Sequence, residues 1–155
     1  MKGNDKIIEM LNQRLSEELT AINQYMVHAE MDENWGYGVL DDVVEKRAIT
    51  EMKHAEKLIA RILFLEGRPI VSNLLKINIG ADVKTQLNND YSLELDADKK
   101  YNESIKLANE LGDNGTKELL ESILQDEEEH IDWLEAQMDQ IEQLGIQNYL
   151  TEQID

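Results

Sequence analysis

Six side chains carry the chemistry of this chain: Glu18, Glu51, His54, Glu94, Glu127 and His130. Each stands where an apolar residue should be. In the stretch LESILQDEEEHIDW, the series Leu120, Ile123, Glu127, His130, Leu134 steps by 3, 4, 3 and 4, which is one face of a helix. A carboxylate and an imidazole therefore point into an apolar seam. The same happens along Leu40, Val44, Arg47, Glu51, His54, Leu58. Along Leu11, Leu15, Glu18, Ile22, Tyr25, Ala29 and along Val83, Leu87, Glu94, Tyr101, Ala108, a lone glutamate interrupts the stripe. Burying an unpaired carboxylate is costly, so four of them demand a shared counter-charge.

The intervals repeat. Glu18 to Glu51 and Glu94 to Glu127 are both 33 residues, and a tyrosine follows each lone glutamate by 7, as Tyr25 and Tyr101. The chain is an internal duplication of one helix pair, offset by 76 residues. Each Glu-x-x-His spans one turn and can grip one ion from two points. Two such motifs plus two lone glutamates form the ligand set of a dinuclear carboxylate bundle, a pattern already known for di-iron and di-manganese proteins. Charge favours a pair of ions. Four carboxylates balance two divalent ions, or two trivalent ions with one bridging oxide, so both redox states can be neutral in a dry core. Imidazole and carboxylate suit iron, manganese or zinc equally well.

Around these six, Tyr25 and Tyr101 share the glutamate faces and are placed to donate to the ligating carboxylates. Asn23, Asp90 and Asp126 are candidates to orient the two histidines. Trp133 lies one turn from His130. His28 falls outside the pattern and reads as a surface residue. Met52 and Ile49 face outward on the second helix, and Leu19 and Met26 flank the first helix's stripe, which marks a partner surface.

The elements that must hold these residues are long helices. There is one proline, and there are eight glycines, in 155 residues. Asn4 or Asp5 caps a first helix to about Met31, with a turn at Asn34–Gly38. A second helix runs to about Leu65 and stops at Gly67 and Pro69. Residues 66–82 then form a connection reaching roughly 55 Å when extended. That exceeds the roughly 42 Å of a 28-residue helix, so the third helix starts at the same end of the bundle as the second. The apolar residues of this connection, Ile70 to Ile79, suit an exposed subunit interface. Asp82 caps the third helix, which ends near Leu111. Thr116 caps a fourth helix running to Leu144, and a short fifth covers 147–153. The fold class is all-α: a four-helix bundle over 4–144 with one long crossover, as a single domain across 1–155.

Net charge is −18, from 33 acidic and 15 basic residues. No basic stripe exists to neutralise phosphates, which argues against nucleic acid. No apolar run spans a membrane, and no leader pattern is evident. With no cysteine there is no disulfide or thiolate metal site, as expected of a cytoplasmic protein.

The segments MKGNDKIIEMLNQRLSEELTAINQY, EMKHAEKLIARILFLEGRP, DEEEHIDWLEAQ and LGIQNYLTEQI resemble the bacterioferritins, haem-containing ferritins of bacteria. The second Glu-x-x-His is the discriminating motif against non-haem ferritins. The resemblance implies a ferroxidase that oxidises Fe(II) with O2 or H2O2 and stores Fe(III) mineral in a shell of twenty-four identical subunits built from two-fold dimers. It implies that Glu18, Glu51, His54, Glu94, Glu127 and His130 bind two iron ions per subunit, with Glu51 and Glu127 bridging. It implies a haem b shared by two subunits, with Met52 as axial ligand, and a bacterioferritin-associated ferredoxin as electron donor. Asn34, Glu66, Asp132 and Asp139 look like pore residues of that family. Lys46 and Thr50 depart from members that carry a His and an Asp there for an extra inner iron, which puts that inner site in question. Glu45 replaces an aromatic found near the haem in some members. A di-metal oxygenase or peroxidase without storage, and a metal-free acidic bundle, are the competing readings.

Overall fold

A computed structural model describes all of residues 1–155. Helix α1 spans Asp5–Trp35, α2 Gly38–Phe64, α3 Val83–Glu110, α4 Asn114–Leu144 and α5 Ile146–Thr151. There is no strand. Helices α1 and α2 pack as one antiparallel pair and α3 and α4 as the other, the two copies of the duplicated unit. No helix is long and apolar enough to cross a membrane.

Local chemistry sets the ends. Asn4 caps α1, its side chain accepting from the Lys6 N–H at 2.8 Å. α1 continues four residues past the expected Met31, because nothing breaks it before Gly36, which takes φ 86°. The second helix stops through Glu66, a non-glycine residue at φ 60°. Gly67 has another job: a Cβ there would lie 2.7 Å from Ile8 and 3.0 Å from Ile62, so α1 and α2 close only over a glycine. Asp82 caps α3, accepting from Thr85 N–H at 2.8 Å. At α4 the cap is Asp113, not Thr116; the Asp113 carboxylate accepts from both the N–H and the hydroxyl of Thr116. α5 covers 146–151 rather than 147–153.

The connection between α2 and α3 runs the length of the bundle along α1. Asn12 accepts from Ile70 N–H, Thr20 from Leu75 N–H, Gln24 from Asn78 N–H and His28 from Gly80 N–H. One polar stripe of α1 thus satisfies a strap that has no secondary structure of its own. The strap's apolar side chains Ile70, Val71, Leu74, Leu75 and Ile79 are exposed.

Three apolar clusters divide the core. One, built on Ile7, Leu11, Leu15, Leu58, Ile62, Leu120 and Ile123, fills one end. Another, built on Leu40, Leu87, Leu134, Ile141 and Tyr149, fills the other. A small third cluster contains Tyr25 and Val44. Tyr149 brings α5 into the second cluster and donates to Gln137 at 2.7 Å. The polar seam lies between these apolar ends.

Candidate metal centre

All six seam residues are buried, five at 1–2% exposure and His130 at 7%. α1 supplies Glu18, α2 Glu51 and His54, α3 Glu94, and α4 Glu127 and His130. One ligand atom from each of Glu18, Glu51, His54 and Glu127 falls within a 4.8 Å group. His54 Nδ1 lies 3.6 Å from Glu18, 3.5 Å from Glu51 and 3.5 Å from Glu127. Glu94 and His130 stand beside this group, paired to each other at 3.1 Å.

The internal duplication shows in the tyrosines. Tyr25 of α1 donates to Glu94 of α3, and Tyr101 of α3 donates to Glu18 of α1 at 2.5 Å. Each half of the chain thus orients the lone glutamate of the other. Asp126 accepts from His54 Nε2 at 2.8 Å, which turns Nδ1 toward the carboxylates. The other two orienting candidates do different work. Asn23 donates back to Leu19 on its own helix, and Asp90 pairs with His28 and Gln24. His130 is instead fixed by ring contacts: Tyr25 meets it edge-on at 5.4 Å and Trp133 stacks on it at 6.0 Å.

His28 is not a surface residue. It is fully buried, with Nδ1 2.9 Å from Asp90 and Nε2 accepting from Gly80 N–H. Its partners lie 62 and 52 residues away, so the periodicity of α1 could not reveal them.

Arg47 was visible in the sequence as a stripe member, but not as part of the site. Its Nη2 lies 2.6 Å from Glu51 Oε1, 2.8 Å from Glu127 Oε2 and 3.9 Å from Glu94 Oε2. The one sequence signal was Glu51, four residues on along the same face; Glu94 and Glu127 come from α3 and α4.

Electrostatics follow from crowding. Burial and the neighbouring Glu18 push Glu51 up to about 8, and burial with Glu51 and Glu94 raises Glu127. Burial raises Glu18 as well. For His54, burial favours the neutral ring, but hydrogen bonds to Glu127, Glu18 and Glu51 outweigh it and push the ring up to about 12. Glu94 goes the other way: despite burial, contacts with Glu127, His130 and Arg47 hold it down to about 2. The cluster keeps itself together with shared protons and one guanidinium.

Those devices leave a remainder. Glu18 Oε2 and Glu94 Oε2 are buried with no hydrogen-bond partner, and Glu51 Oε1 is met only by the Arg47 guanidinium. Orphaned buried acceptors are rare and need an explanation. Oxygen and imidazole donors converging from three helices fit divalent cations. A cavity of about 20 Å3 beside Glu18, Glu51, Glu94 and Glu127 reaches outward past Glu17, Asp96 and Leu75.

A ferritin-like domain model matches residues 8–144. Bacterioferritins from Brucella melitensis and Rhodobacter capsulatus are 43% and 44% identical over 149 residues, covering 96% of this chain and 92% of theirs. One from Mycolicibacterium paratuberculosis is 38% identical, covering 96% and 94%. The chain belongs to the bacterioferritins.

On this bacterioferritin, the outward residues of α1 and α2 form a groove lined by Ile22, Met26, Ala48, Ile49 and Met52, with Glu30 and Glu45 also on it. Met52 is 45% exposed. Lys46 is exposed, and Thr50 spends its hydroxyl on the Lys46 carbonyl at 3.1 Å. Asn34, Glu66, Asp132 and Asp139 are all exposed.

Proposed function

We propose that this bacterioferritin stores iron by oxidising it at the buried centre. Iron storage is the general role of the family. The ferroxidase assignment rests on one observation: four glutamates and two histidines crowd a single buried seam in which Glu18 Oε2 and Glu94 Oε2 have no hydrogen-bond partner.

Two Fe(II) ions are the substrates. Glu18, Glu51, His54 and Glu127 hold one, and Glu51, Glu94, Glu127 and His130 hold the other, with Glu51 and Glu127 serving both. Tyr101 and Tyr25 fix the terminal carboxylates of Glu18 and Glu94, so neither swings away as the ions change charge. Asp126 keeps the Nδ1 lone pair of His54 aimed inward. Protons held by Glu51 and Glu127 leave as iron enters, so binding releases acid. O2 or H2O2 takes the electrons. The four carboxylates match the charge of two divalent ions, and of two trivalent ions only with one oxide between them.

Fe(III) passes to mineral inside a shell of twenty-four subunits, in the cytoplasm. The groove at Met52 fits a haem b completed by the Met52 of a second copy, because it is apolar and presents a thioether outward. The haem supplies electron transfer, and a bacterioferritin-associated ferredoxin is its donor for releasing iron.

The test is oxidation of Fe(II) by O2, followed by absorbance. Wild-type protein should oxidise two ions per subunit rapidly and retain them. Glu18→Ala should be slower by roughly tenfold or more. Equal rates would refute the assignment.

A further inference from the structure

Arg47 has no role in that account, yet it is the cation nearest the cluster. Its side chain is 9% exposed and ion-pairs with three of the four glutamates, though not with Glu18. The guanidinium therefore sits on the Glu94 side of the centre. The opposite side is open and preformed: Glu18, Glu51, His54 and Glu127 already offer ligand atoms within 4.8 Å of one another. The two halves of a duplicated site are thus unequal, and Arg47 makes them so. At the matching position of the second half, 76 residues on, stands Ile123, which is apolar and buried.

We propose that the Arg47 guanidinium is a tethered cation that occupies the Glu94/His130 half of the centre until a second divalent metal ion displaces it. The inference rests on the dinuclear reading above. It sets an order: the first ion enters the Glu18/His54 half, and the second must compete with Arg47. Charge supplies the reason. One divalent ion plus Arg47 meets three of the four carboxylate charges. A second divalent ion beside Arg47 would leave excess positive charge in a site closed to water, so the guanidinium must move out.

It has somewhere to go. Arg47 Nη1 already donates to the Asp126 carbonyl at 3.0 Å. Beyond it lies a wholly polar groove bounded by Thr50, Lys53, Lys57, Asp126 and Glu129. Asp126 and Glu129 put carboxylates on the same groove that Arg47 lines, which gives the displaced head group an acidic destination outside the centre. The arrangement also helps keep the metal-free core intact, since Arg47 joins His54 in offsetting the repulsion among the crowded glutamates.

The probe is Co(II), added anaerobically to the metal-free assembled protein. Its absorption bands report binding without any oxidation step. Wild type should bind two ions per subunit in two resolved stages. In Arg47→Gln the second ion should bind about tenfold tighter or more, while the first changes little. Arg47→Lys, a point charge with a shorter reach, should fall between the two. An unchanged or weaker second affinity in Arg47→Gln overturns the proposal and leaves the dinuclear reading standing. Wild type that binds no Co(II) sinks the dinuclear reading, and the proposal with it. If Arg47→Gln does not assemble, Arg47→Lys decides, and a second affinity equal to wild type overturns the proposal. Crystals of the wild type soaked in Co(II) give an independent check. Two ions bound with Arg47 still ion-paired to Glu51 and Glu127 would contradict displacement.

Discussion

Tyr25 and Tyr101 cross the bundle to hold each other's glutamates, and both are fully buried. A phenol that donates to a charged carboxylate contributes about 1.5–3 kcal/mol. Tyr101→Phe should therefore free the Glu18 carboxylate without opening a cavity. The expected result is a tenfold or greater weakening of the ion bound by Glu18, read by Co(II) titration, with the assembly intact. An unchanged affinity would reduce Tyr101 to core filling. At this scale the six seam residues were readable because polar groups broke apolar stripes at fixed intervals. Arg47 was harder. An arginine on an apolar stripe ordinarily snorkels, and only the fold shows its head group turned inward. His28 was misread because its partners are Asp90 and Gly80, on the third helix and the strap, which no single helix's periodicity reports.

Among the elements, the strap and α1 define how the polar interior is paid for in hydrogen bonds. Asn12, Thr20, Gln24 and His28 form a second polar stripe on α1, separate from the one that carries Glu18: it accepts from backbone N–H groups of the strap. Sequence length showed that the connection could span the bundle, but not which face it would follow. Near the end of α1, Asp32 is 2% exposed, and its Oδ1 has no partner. Burial pushes it up to about 7, with His28 opposing and Asp90 adding to the rise. The folded chain thus keeps a proton that the unfolded chain loses near its ordinary value of 3.8. Stability contributed at this site falls as pH rises from about 4 to about 7. Asp32 also sits in the last turns of α1, where a negative charge opposes the helix dipole. Relative to wild type, Asp32→Asn should gain stability across that range, measured by thermal melting at pH 4, 5.5 and 7. A constant offset between the two proteins would show that Asp32 does not titrate there.

Over the whole molecule, two apolar ends enclose a polar middle, and the remaining apolar surface faces outward. Met26, Ile49 and Met52 line one outer groove, and Ile70, Val71, Leu74 and Ile79 run along the strap. These are the surfaces that a shell of identical copies would cover. Met52→Leu keeps the groove apolar but removes the thioether, so the purified protein, expressed with ample haem, should lose its Soret band and still assemble. A Soret band equal to wild type would place the haem elsewhere. Outward apolar positions were legible from helix phase, whereas their partner was not, because one chain carries no record of the copy that covers it.

The most direct measurement is anaerobic Fe(II) titration of the metal-free assembly, with bound iron counted per subunit. Two ions per subunit in wild type, and fewer in Glu51→Ala and Glu127→Ala, is the expected result. No bound iron, or the same count in wild type and both variants, would contradict a buried centre made by these four helices.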